Sequence, residues 1–139
     1  MVDSMKGNGD NWRGQAFEEM LFDYLDNGYL ENIITFFEHD PEQIYLIPKM
    51  IKDERIRIKV GAIAIIEEIK EKNPEVLKKI VPSLIDLLES SEKNIRGDAA
   101  YALEIIADPD SRDALLEALN KEQDPQVREF IEDALKSIK

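Results

Sequence analysis

Few residues in this chain could make or break a bond. The sequence holds a single histidine, His39, and no cysteine, so no Cys-His pair exists and any Ser-His-Asp set must use that one imidazole. His39 precedes Asp40-Pro41, where a turn histidine fits better than a general base. Asp108, Asp110 and Asp113 have cation-loop spacing, but Arg112 stands where a calcium loop needs an oxygen. Acids favoured by a helix N-terminus explain them better. Gly7-Asn8-Gly9 precedes no strand and makes no phosphate loop. Catalytic, metal and cofactor residues are therefore expected to be absent. What remains is the chemistry of binding. Val60, Ala64, Glu67 and Glu71 lie on one face at helical spacing, as do Gly97, Tyr101 and Glu104, and Glu129 with Asp133. Small apolar residues and one tyrosine beside carboxylates suit a partner's apolar and cationic side chains.

The elements that hold these residues are helices. In Ile95-Arg96-Gly97-Asp98-Ala99-Ala100-Tyr101-Ala102-Leu103-Glu104-Ile105-Ile106, the residues Ile95, Ala99, Ala102, Leu103 and Ile106 form one apolar stripe. Its two alanines permit close helix approach. The pattern recurs as Ile58, Ala62, Ile65, Ile66, Ile69 and as Val127, Ile131, Ala134, Leu135, Ile138. Each copy carries a cation after its first apolar residue: Lys59, Arg96, Arg128.

Six prolines punctuate the chain. Asp40-Pro41, Asn73-Pro74, Asp108-Pro109 and Asp124-Pro125 read as an N-cap followed by the first helical residue. Gln43 completes a capping-box-like start after Asp40. Pro48 and Pro82 fall inside apolar helical patterns, one repeat apart, and should bend their helices. The expected helices cover 12–26, 29–38, 41–52, 54–72, 74–90, 93–107, 109–120 and 125–138. They form four antiparallel pairs, near 12–39, 41–72, 74–107 and 109–138, with a period of about 33 residues. Residues 1–11 read as a disordered lead and 12–139 as one repeat domain. The first pair carries Trp12, Phe17, Phe22, Tyr24, Phe36 and Phe37, a composition that suits an end cap.

Bulk composition narrows the function. The net charge of −12 repels phosphate backbones and anionic membranes and attracts basic partners. No apolar run reaches the ~20 residues of a membrane span, and no signal-peptide core opens the chain. The absence of cysteine suits the cytoplasm. Enrichment in Lys, Glu and Ile is a bias of heat-adapted proteins.

With these patterns the chain resembles HEAT repeats. Ile95-Arg96-x-x-Ala99-Ala100-x-Ala102-Leu103, Asp124-Pro125-x-Val127-Arg128, and Asp108-Pro109 leading into Ala114-Leu115-Leu116-Glu117-Ala118-Leu119 carry the likeness. The nearest variety is the short HEAT-like repeat named after phycobiliprotein lyases. The resemblance implies an all-α, right-handed α-α superhelix in which the second helix of each pair lines the concave side. It also implies that Lys59, Arg96 and Arg128 bond acids or carbonyls near the turns as an internal ladder. Lys59 departs from the usual arginine, and Gly97 is a poor helix former.

If second helices line the groove, Val60, Ala64, Gly97 and Tyr101 form its small apolar floor, with Glu67, Glu71, Glu104, Glu129 and Asp133 around it. The expected function is a non-catalytic protein-binding scaffold or adaptor holding a basic or amphipathic segment, without nucleic acid or membrane. The alternative is a chromophore lyase-like subunit or chaperone of the phycobiliprotein lyase type. Along the stack, Ile63, Ala100 and Glu132 occupy equivalent positions. A polar Glu132 marks a flank that nothing covers, and Phe130 on the other flank should meet the third repeat. The expectation is a complete four-repeat monomer.

Overall fold

The chain folds as an all-α solenoid. A computed structural model describes residues 2–138 in backbone and residues 14–138 in side chains. Helix makes up 84 % of the chain, and no strand occurs among the described residues. The α-helices are α1 (Val2–Asp26), α2 (Leu30–His39), α3 (Ile47–Ile51), α4 (Ile56–Lys72), α5 (Pro74–Leu77), α6 (Val81–Leu87), α7 (Lys93–Ile106), α8 (Arg112–Lys121) and α9 (Pro125–Ser137). Backbone helix thus begins at Val2, inside the stretch 1–11 expected as a lead without structure. Among the residues of α1 whose side chains are described, packing on the rest starts at Phe17. The side chain of Trp12 lies outside the described residues.

Three of the first-helix legs are interrupted by 3-10 segments where continuous helices, two of them bent at proline, were expected. Residues Pro41–Leu46 form a 3-10 helix that leads into α3. Lys78–Ile80 separates α5 from α6, and Pro109–Ser111 precedes α8. Pro48 and Pro82 are each the second residue of a new α-helix, α3 and α6. They do not bend a continuous helix. A proline lacks the amide that an interior position needs, so the chain tightens to 3-10 before it and restarts with proline in the first turn. The four Asp/Asn-Pro starts divide in the same physical terms. Asp108 Oδ1 accepts from the Asp110 amide, and Asp124 Oδ1 accepts from the amides of Gln126 and Val127. Asp40 and Asn73 make no such bond. Asp40 instead accepts from Gln43 Nε2 at 3.2 Å, so the expected capping-box contact goes to the side chain.

Two layers result. The second helices α4, α7 and α9 pack side by side, with α7 most extensively on α9 and also on α4. The first legs lie behind them, α3 on α4, α6 on α7 and α8 on α9. One core runs between the layers. Ile58, Ala62, Ile65, Ile66, Ala99, Ala102, Leu103 and Ala134 are fully buried in it, which is the repeated stripe. Gly61 lets the first pair approach: a Cβ there would stand 2.7 Å from a methyl of Leu25 on α1. The first pair is aromatic, with Phe17 and Phe36 rings 5.5 Å apart and Phe37 buried, while Tyr24 stays exposed against Tyr29. Ala107 ends α7 in the left-handed conformation, φ 55°, its amide donating to the Leu103 carbonyl.

Candidate protein-binding groove

A ladder of three cations fixes α4, α7 and α9, each against the leg before it. Lys59 Nζ donates to the Ile51 carbonyl at 2.8 Å. Arg96 Nη1 donates to the Ser90 carbonyl at 3.0 Å. Arg128 Nη1 donates to the Leu119 and Glu122 carbonyls at 2.7 and 2.8 Å. All three satisfy carbonyls freed at the end of a first leg, where a cation also meets the negative end of the helix dipole. Arg96 adds a bidentate pair with Glu122, Nε and Nη2 on the two carboxylate oxygens at 2.8 and 2.9 Å. That pair links the third repeat to the fourth. The guanidinium holds the buried Glu122 carboxyl below its ordinary range, opposed by burial.

The ladder leaves the far side of α4, α7 and α9 open. There a cavity of about 700 Å³ runs across the three helices. Its floor is Val60, Ile63 and Ala64 of α4, Tyr101 of α7, and Val127 and Phe130 of α9. Ile56 flanks it and is 74 % exposed; Val60 is 62 % exposed. Apolar side chains this open to water, on a face otherwise acidic, are a surface that gains by being covered.

Three of the four acids that line this cavity are bare; the fourth, Asp124, caps α9 and meets Lys93. Glu54, Glu67 and Asp98 line it, and none makes an ion pair or side-chain hydrogen bond among the described residues. The cations that line it are engaged elsewhere: Lys59 on its carbonyl, Lys93 3.7 Å from Asp124. Burial pushes the Asp98 carboxyl above its ordinary range, with the Lys59 charge opposing. Glu104 is raised by burial and by the nearby Asp133 carboxylate.

Of the nine residues expected at the groove, Val60, Ala64, Glu67, Gly97 and Tyr101 line the cavity. Glu71, Glu104, Glu129 and Asp133 lie outside its lining, Glu71 and Glu129 exposed and the other two half-buried. Gly97 needs correction as open floor. It is buried, because Phe130 of α9 lies across it, and a Cβ there would meet the ring at 3.4 Å. Phe130 also meets Tyr101 edge to face, ring centres 6.0 Å apart. So Phe130 does turn toward the third repeat, and Glu132 stands exposed. Ile56, Ile63, Asp98 and Phe130 belong to the cavity and were not expected at the groove; Ile63 and Phe130 were read only as flank positions of the stack. Asp98 could have been found: it directly follows Gly97 on the same turn and interrupts the small-residue run before Ala99-Ala100.

A second cavity, about 500 Å³, opens between α6 and α8 over Ile85, Leu88, Ala114 and Ala118. Its charges are matched among themselves: Arg96 with Glu122, and Lys121 with Glu89 and Glu117 at 3.5 and 3.1 Å. Catalytic geometry is not assembled at either place. His39 sits exposed at the end of α2, Nδ1–H donating to the Thr35 carbonyl. Among the described residues no group of three or more His, Cys, Asp or Glu could hold a metal ion, and Asp108 spends its carboxylate on a cap. No described helix is long and apolar enough to cross a membrane.

A family model described as HEAT repeats matches residues 45–136. No curated protein and no solved structure matches the chain.

Proposed function

We propose, for a chain that belongs to the HEAT-repeat family, that it is a non-catalytic scaffold whose groove on α4, α7 and α9 holds a basic or amphipathic helical segment of another protein. HEAT repeats are commonly protein-interaction scaffolds and generally non-enzymatic. The finer reading rests on one observation: the exposed apolar floor at Ile56, Val60 and Tyr101 lies beside carboxylates, Glu54, Glu67 and Asp98, that have no partner among the described residues. An amphipathic helix supplies both missing halves, apolar anchors for the floor and cations for the acids. Rim charges of this kind act mainly on encounter rate, while the floor sets residence time. The lyase-like alternative has less to support it, because no cysteine exists to hold a chromophore and the one histidine lies on α2.

The test uses a synthetic amphipathic helical peptide with leucine on one face and lysine and arginine on the other. Charge reversal of Glu67, Glu104 and Asp133 together is expected to slow its association about tenfold and flatten the salt dependence. Reversal of three acids on the first legs, Asp86, Asp110 and Asp113, is the control and should do less. Equal effects from the two triples would show attraction by net charge alone and would overturn the groove.

A further inference from the structure

The cavity is not uniformly apolar, and of the two half-buried carboxylates that line it, Asp124 caps α9 while Asp98 has no structural task among the described residues. Asp98 lies on α7 one turn before Tyr101, facing Lys59 on α4. Every other charged residue near it is occupied or open to water. Lys59 is fixed on the Ile51 carbonyl, Lys93 is beside Asp124, and Glu54 and Glu67 are exposed at the rim. Asp98 itself is half-buried, caps no helix and accepts no hydrogen bond among the described residues. A carboxylate held part-way out of water without a partner costs stability, and a solvent-facing serine or alanine would avoid that cost. Val60, Ile63 and Tyr101 line the same cavity, in which Asp98 is the one half-buried acid without a partner among the described residues.

We propose that the bound segment inserts one lysine or arginine side chain into this cavity, its aliphatic stem against Val60 and Ile63, its stem or head beside the Tyr101 ring, and its cation on Asp98. This rests on the groove reading above and makes it more specific: the occupant carries one inserted cation as well as cations at the rim. Long cationic side chains bury their methylenes and carry the charge to a carboxylate, and an aromatic ring beside the path adds attraction. Asp98 is then the residue that selects the occupant's chemistry, while Glu67, Glu104 and Asp133 set how fast it arrives.

The experiment is selection from a displayed library of amphipathic helical peptides on the wild-type chain and on Asp98→Asn. Binders are mapped by amide NMR shifts on residues 93–101. Wild-type selection is expected to fix one Lys or Arg position between apolar positions three or four residues away. Selection on Asp98→Asn should keep the apolar positions and lose the cation. The fixed-cation peptide should dissociate at least about tenfold faster from Asp98→Asn, with its helical circular dichroism unchanged. Binders that map to the groove but carry no preferred cation, or that Asp98→Asn holds equally, would overturn the role of Asp98 and leave the groove standing. Binders that map elsewhere would overturn the groove itself.

Discussion

The two cavities differ in one respect that matters more than size. Between α6 and α8 every lining charge has a partner in the chain: Arg96 with Glu122, Lys121 with Glu89 and Glu117, Asp124 with Lys93. Across α4, α7 and α9, which the Lys93–Asp124 pair also lines, the acids Glu54, Glu67 and Asp98 have none among the described residues. Both cavities have apolar floors, so hydrophobicity does not separate them. Electrostatic completeness does. A closed set of ion pairs has little to gain from a ligand, since any new cation must first displace one already in place. A set of bare carboxylates beside exposed Ile56 and Val60 has everything to gain. The same chain thus uses its charges for structure on one side and leaves them unspent on the other.

The largest effect should come from breaking the completed side. Arg96→Ala removes a bidentate partner from buried Glu122 and a donor from the Ser90 carbonyl. The loss is expected at about 2–4 kcal/mol in urea unfolding, because a buried carboxylate is left unpaired. Its pH dependence has a definite sign. The folded Glu122 pKa lies below its ordinary value. Its contribution is therefore present above the unfolded carboxylate pKa and is lost as pH falls through the lower, folded value. The stability gap between wild type and Arg96→Ala should narrow across that acid range, leaving at its bottom only the part from the Ser90 carbonyl bond. Parallel curves would show that the pair is not coupled to folding.

The positions of this ladder were legible because Lys59, Arg96 and Arg128 occupy one place in a repeated pattern, and the resemblance to HEAT repeats implied their bonds. Repetition also gave the pairing of helices and the buried stripe. What did not follow from sequence has a common cause. A 3.6-residue period gives the face of a helix but not how closely a neighbour crosses it. Gly97 points to the groove side, yet α9 comes near enough to lay Phe130 over it. Pro48 and Pro82 were placed in helical patterns correctly, but the choice between bending one helix and restarting another depends on local backbone packing. The bareness of Asp98 depends on where Lys59 ends up, which no spacing reports.

Next in size is the layer behind the open cavity. Ala102 has no exposure, and leucine there should overpack α7 against the first legs at a cost of about 1–3 kcal/mol. Thermal unfolding measures it; an unchanged melting temperature would mean that the register of α7 is wrong. Two glycines then sharpen the picture of which approaches are tight. Gly61→Ala must push Leu25 away from 2.7 Å, with its γ carbon only 3.0 Å off, and should cost about 1 kcal/mol. Gly97→Ala meets Phe130 at an ordinary 3.4 Å and gains helix propensity, so it should stabilise by about 0.5–1 kcal/mol. The opposite order in denaturant midpoints would place the close approach at α7 and α9 instead.

The smallest effect is the most telling about the open side. Asp98 is raised first by burial, and Lys59 only partly offsets this. With the folded pKa above the unfolded one, the folded state holds more protons between the two values, so stability falls as pH rises through that window. Above it the ionised carboxylate remains a net cost at every pH. Asp98→Asn removes the charge and keeps the shape. It should raise the melting temperature at neutral pH by about 1–3 °C and leave it nearly unchanged well below the window, where Asp98 is already protonated. Arg96→Ala behaves oppositely on both counts, which is the contrast between the cavities expressed as titration. A residue whose replacement stabilises the free chain while weakening its hold on a cationic peptide is being kept for the peptide. A drop in melting temperature for Asp98→Asn would show instead that Asp98 and Lys59 form a structural pair, and the two cavities would then be alike.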